Sequence, residues 1–191
     1  MSRIDIDDLY RRAIDVVEPE RIRYLVYGGI ALPAWGDLHA TEDVDLVIRV
    51  DEDDAARLIA ALRKAGFHVP DRSETLLFID AWFKASMRGR DVDFALGVTE
   101  FDERALARAV RVRIYDRVVP IATAEDLILY KLVAHRRKDL AHIEDIIIRQ
   151  GAKLDLAYLR EWSDRIAAAT GKFEVPSVLK QMLAEEGLSL P

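Results

Sequence analysis

Residues 24–48 read YLVYGGIALPAWGDLHATEDVDLVI, and this stretch decides the fold. It scans as a strand, a glycine turn, a short helix, a loop, and a second strand that opens on two carboxylates. Asp43 and Asp45 stand two apart on an extended segment. Side chains alternate faces along a strand, so both acids point the same way. Two acids held side by side repel each other. A hard divalent cation relieves that repulsion, and Mg2+ is commonly held by one or two carboxylates together with substrate phosphates. Upstream, Gly28 and Gly29 fall where the first strand gives way to a helix, a place suited to cradling phosphate. A phosphate-binding turn beside a metal-binding pair is the chemistry of nucleotide transfer.

The rest of the chain sets bounds on that reading. With 191 residues, of which 51% are hydrophobic, it is long enough for one domain, or one domain with an appended helical part. It contains no cysteine, which excludes disulfides and thiolate metal sites. No apolar run approaches the roughly 20 residues needed to span a bilayer. The opening MSRIDIDDLYRR, with three aspartates and three arginines, is amphipathic and without a signal-peptide core. A cytoplasmic protein with no membrane partner is expected. The net charge of −6 argues against nucleic-acid binding over the whole surface. It leaves room for two local basic faces, one formed by Arg104, Arg108, Arg111, Arg113 and Arg117, the other by His135, Arg136, Arg137 and Lys138.

Periodicity places the remaining elements. A helix is predicted over residues 5–18, capped by Asp5, with Ile6, Leu9, Tyr10, Ala13, Ile14 and Val17 on one stripe. Strands are predicted at 23–27 and 43–50, then a helix capped by Asp51 or Asp53 that ends at Gly66. Residues 76–86 and 90–96 read as a hairpin around Gly89, and 101–109 as a short helix. A second hairpin is expected from 110–115 and 118–121. From Thr123 the pattern is wholly helical, with further helices at about 139–149, 155–169 and 175–186. The expected fold is therefore α/β, of the α+β kind. It has a core at 1–121 built on a mixed twisted sheet with flanking helices, and a helical C-terminal part at 122–191 packed on that core.

A third carboxylate strengthens the site. Asp93 lies in Asp91-Val92-Asp93-Phe94-Ala95-Leu96 and shares a face with Asp91. The acid nearer the strand centre is held more rigidly, which favours Asp93 over its competitor. This combination resembles the polymerase-β-like nucleotidyltransferases, in which a Gly-Gly or Gly-Ser begins a helix and a pair of aspartates starts the next strand. In that superfamily a later strand supplies the third acid. Downstream, Thr123-Ala124-Glu125-Asp126-Leu127-Ile128-Leu129-Tyr130-Lys131-Leu132 is followed by Arg137-Lys138-Asp139 and then Glu144-Asp145-Ile146. That run is similar to the C-terminal signature of AbiEii/MenT-type nucleotidyltransferase toxins. The likeness covers about residues 23–150.

The resemblance implies NTP-dependent transfer of NMP to an acceptor hydroxyl with release of pyrophosphate, using Mg2+ or Mn2+. Asp43, Asp45 and Asp93 would hold metal and be catalytic. Gly28, Gly29, Thr41 and Lys131 would bind nucleotide, and Lys131 and Asp145 would complete the catalytic set. A tRNA 3′ end is the first acceptor it implies, with a toxin role and a cognate antitoxin as partner. A protein or small-molecule acceptor, and a catalytically silent binding module or antitoxin, are the alternatives. Lys131 also stands out on physical grounds. A lysine on an apolar stripe is expensive to bury unpaired and must snorkel or meet an anion; a triphosphate or Asp145 would serve. The chain departs from the superfamily in two places. Gly29 stands where serine is common, and His39 where many relatives carry arginine. The four histidines show no metal-ligand spacing and read as incidental.

Overall fold

Tyr24, Leu25 and Val26 are buried one after another in β1 (Arg23–Tyr27). Consecutive burial means that both faces of the strand are covered, so β1 belongs inside a sheet rather than at its edge. The computed structural model, which describes residues 3–36 and 41–191, places it there. The strand order is β3-β4-β2-β1-β6-β5. β2 (Asp43–Arg49) runs antiparallel to β1, with Tyr27 opposite Asp45. β6 (Arg117–Ile121) lies parallel on the other side of β1. β4 (Arg90–Leu96) pairs parallel with β2, and β3 (Trp82–Met87) closes a tight hairpin on β4. β5 (Val110–Ile114) forms the second hairpin, with β6. The sheet is mixed, as the sequence implies.

Helices cover the sheet in patterns set by their apolar stripes. α1 (Ile6–Val17) buries Leu9, Tyr10, Ala13, Ile14 and Val17, and packs against β2, β4 and α3 (Glu52–Lys64). α3 in turn buries Ala55, Leu58, Ile59 and Leu62. Asp51, not Asp53, caps it, by accepting a 2.8 Å hydrogen bond from the Asp54 amide. Asp5 stands at the cap position of α1, but its side chain makes no capping bond. α5 (Glu100–Arg108) is opened by a reciprocal Thr99–Asp102 capping box.

One predicted element changes type. Residues 76–81 are not strand: α4 spans Ser73–Ile79, and β3 begins only at Trp82. Four apolar residues in a row fit a buried strand or a helix equally well. α4 buries Ser73 and Leu77, and the Leu76 and Asp80 amides donate to the carbonyls four residues back, those of Arg72 and Leu76, which is the helical ladder. Phe78 and Ile79 are left exposed.

The chain divides into two compact units, residues 1–30 with 40–121, and residues 31–39 with 122–191. The second unit contains α6 (Ala124–Ala134), α7 (Arg137–Gln150), α8 (Leu156–Thr170) and α9 (Val175–Glu185). Trp35 belongs with it. Its indole N–H donates to the Ala122 carbonyl at 2.8 Å, and the Gln150 side-chain amide donates to the Trp35 carbonyl at 2.7 Å. A buried polar knot pins α6 to α8. The Thr123 hydroxyl donates to Asp126 Oδ2 at 2.8 Å, and the Tyr158 hydroxyl donates to Asp126 Oδ1 at 2.6 Å. Asp126 is fully buried, so a lost hydrogen bond is not replaced by water. Tyr158→Phe should therefore lower unfolding stability by about 1–3 kcal/mol, read by urea denaturation, with the helical circular dichroism of the folded chain unchanged.

Candidate metal and nucleotide site

The parallel pairing of β2 with β4 builds the site. Its register sets Asp43 beside Asp91 and Asp45 beside Asp93. Residues level with each other on neighbouring strands share a face, so four carboxylates project from one patch of sheet. Ligand oxygens of Asp43, Asp45 and Asp93 lie within 4.8 Å of one another, and all three side chains are half-buried. Asp91 is drawn aside by Lys84 on β3, whose ammonium donates to Asp91 Oδ2 at 2.8 Å. Geometry thus groups Asp93, rather than Asp91, with the strand-opening pair.

The glycine turn is shaped by the same carboxylates. Gly28 follows Tyr27 with φ +67°, a left-handed conformation that favours glycine. A Cβ there would run into the Asp45 carboxylate, with Asp45 Cγ only 2.5 Å away. At Gly29 a Cβ would meet the Thr41 side chain, 2.6 Å from its Cβ. The two glycines therefore let the backbone come up against Asp45 and Thr41. The Thr41 hydroxyl lies 3.1 Å from both the backbone carbonyl oxygen and Oδ1 of Asp43. It fixes the direction in which Asp43 points, a role beyond the nucleotide contact expected of Thr41.

The electrostatics of this patch show at Asp93. Burial raises the Asp93 carboxyl above its ordinary range; Lys84 pulls it back, while Asp43 and Asp91 push it further up. Asp93 Oδ1 is buried and, among the described residues, accepts no hydrogen bond. Lys84 Nζ lies 3.6 Å from it, too far to serve as a hydrogen-bond donor. Three converging carboxylates form a set of hard oxygen donors, which suits Mg2+ or Mn2+.

Gly28, Gly29, Thr41, Asp43, Asp45 and Asp93 thus come together within the first unit. Lys131 and Asp145 belong to the second, on α6 and α7. Lys131 is buried, and its ammonium lies 3.5 Å from Asp139 Oδ1 and 3.0 Å from His142 Nδ1. Asp139, on the first turn of α7, supplies an anion for which the sequence suggested Asp145. Burial alone would raise the Asp139 carboxyl, but the Arg136 guanidinium at 2.6 Å and the Lys131 charge hold it below the usual range. Asp145 is half-buried and packs beside Gly36. His142, read as incidental, is a contact of Lys131; that pairing runs between two helices and leaves no mark in sequence spacing. His39 lies outside the described residues. Lys84 was also missed, although the hairpin carries its signal. With Arg88-Gly89 as the turn, position 84 must stand opposite position 93.

No protein-family model and no curated protein matches the chain. Solved structures do match it. The antibiotic-resistance factor ANT(2'')-Ia aligns with a TM-score of 0.59 at 17% identity, over 87% of this chain and 96% of that one. The same protein in complex with adenylyl-2''-tobramycin gives 0.59 at 16% identity, over 84% and 98%. The lincosamide antibiotic adenylyltransferase LnuA, bound to lincomycin, gives 0.53 at 13% identity, over 76% and 98%. This chain therefore has the nucleotidyltransferase fold, and the acidic triad Asp43, Asp45 and Asp93 lies within it.

A raised carboxyl costs stability once it ionises. Below its unfolded-state pKa, Asp93 is neutral in both states and the cost vanishes; above its folded-state pKa the cost is complete. In metal-free buffer at pH 7, Asp93→Asn should melt at a higher temperature than the natural chain, and the gap should close as the pH falls through the carboxyl range. Added Mg2+, at 100 times its dissociation constant, should stabilise the natural chain by about 2.7 kcal/mol, a gain that Asp43→Ala should largely lose.

Proposed function

We propose that this chain is a metal-dependent nucleotidyltransferase that moves NMP from an NTP to an acceptor hydroxyl and releases pyrophosphate. The observation that carries this reading is the convergence of three carboxylates beside a glycine turn that lies against Asp45 and Thr41. Asp43, Asp45 and Asp93 would hold Mg2+ or Mn2+, which when bound neutralises the triphosphate and the departing pyrophosphate. The acceptor oxygen bonds to the α-phosphorus as the bond to pyrophosphate breaks. Asp93 would assist the metal or take the proton of the acceptor hydroxyl. Thr41 keeps Asp43 in place. Gly28 and Gly29 offer backbone amides to the phosphates. Lys131, its charge met by Asp139, and Asp145 take no step in this scheme.

A small-molecule hydroxyl is the acceptor we favour. Much of the arginine that would dock RNA is already engaged within the chain. Arg111 donates to the Val118 carbonyl, Arg117 pairs with Asp15 and Asp116, and Arg136 pairs with Asp139. Two proteins that share the fold are antibiotic-modifying by name, and extending that acceptor class to this chain is part of the proposal. A tRNA 3′ end, with a toxin role and a cognate antitoxin, is the second reading; exposed Arg113, Arg137 and Lys138 favour it. The test is incubation with each labelled NTP and Mg2+ in the presence of small-molecule, RNA and protein fractions. Label should enter a small molecule, and Asp43→Ala should lower transfer at least about 100-fold with the fold intact. Label in RNA selects the second reading. Full transfer by Asp43→Ala refutes the assigned site, and no transfer from any NTP leaves a silent binding module.

A further inference from the structure

We propose that Lys84 is a fixed cation of the carboxylate cluster, standing where a second divalent ion would bind Asp93 and so limiting the cluster to one tightly held metal. This rests on the metal-dependent reading above and adds to it the number of ions and the residue that sets it.

The hairpin register places Lys84 opposite Asp93 and Ser86 opposite Asp91. Lys84 therefore shares the face of the four acids, with Asp91 as its diagonal neighbour. Asp91 Oδ2 anchors the ammonium at 2.8 Å, and from that anchor Nζ lies 3.6 Å from Asp93 Oδ1. That oxygen is the buried one that, among the described residues, accepts no hydrogen bond. A divalent ion bound through Asp43 and Asp45 leaves the lysine where it is. An ion that used Asp93 Oδ1 would have to displace the ammonium or sit against it, like charge against like.

The pair is poorly suited to a purely structural job. Lys84 and Asp91 are 41% and 39% exposed, and ion pairs that open to water add little to stability. Their main effect falls on the charge of the cluster. Asp91 acts as a tether: it spends its own charge on the lysine and is the one acid of the four outside the converging set. Lys84 is thus a positioning residue, acting on metal through Asp93.

The test is a Mn2+ titration of the full chain without nucleotide, followed by the paramagnetic resonance signal of unbound Mn2+. Lys84→Met and the more polar Lys84→Gln are compared with the natural chain and with Lys84→Arg, each checked for an unchanged melt. The natural chain should bind one ion tightly. Both neutral variants should take up a second, with affinity on the order of tenfold higher than the natural chain shows for any second ion. Lys84→Arg should behave like the natural chain. Equal stoichiometry and affinity in the neutral variants overturns the role of Lys84 while leaving the metal site standing. A natural chain that binds no Mn2+, or binds it equally after Asp43→Ala, overturns both.

Discussion

Like-charge repulsion on one patch of sheet is the constraint from which the rest of the site follows. The parallel register of β2 and β4 brings Asp43, Asp45, Asp91 and Asp93 onto a common face, and three of them converge to within 4.8 Å. Folding alone gains nothing by gathering acids in this way, because each ionised carboxylate raises the cost of the next. The chain offsets part of that cost with Lys84 and leaves the remainder. A half-buried cluster of carboxylates is what a cation-binding surface requires, and it is where stability and function pull in opposite directions.

The backbone around the cluster is arranged to the same end. β1 delivers the chain to Gly28 at the level of Asp45, and the missing side chains of Gly28 and Gly29 let that turn lie against Asp45 and Thr41. Thr41 is tied to Asp43 through its hydroxyl. Carboxylate direction, threonine hydroxyl and glycine turn are therefore one unit of geometry, and a methyl group at either glycine would disturb all three. The helical unit solves a separate problem by its own means, with Asp126 shared between Thr123 and Tyr158, and Lys131 set against Asp139.

Much of this was legible in the sequence because short-range rules govern it. Alternation along a strand put Asp43 and Asp45 on one face, and the same rule with strand position selected Asp93 over Asp91. Loop chemistry placed both hairpins. What escaped depended on contacts between elements. The apolar run 76–79 could be strand or helix, and it folds as the end of α4. Asp139 and His142 meet Lys131 across two helices, a pairing that no spacing along the chain reveals. Lys84 lies between these cases, since hairpin arithmetic sets it opposite Asp93 once the turn is fixed at Arg88-Gly89.

The most direct measurement of the central claim is a crystal of the natural chain grown with Mn2+ and a non-hydrolysable NTP analogue, examined by anomalous scattering at the manganese edge. An anomalous peak is expected within coordination distance of Asp43 and Asp45, on the face they share with Asp93, with triphosphate density against the Gly28-Gly29 turn. Anomalous density elsewhere, or a nucleotide bound without metal at these carboxylates, would contradict that claim.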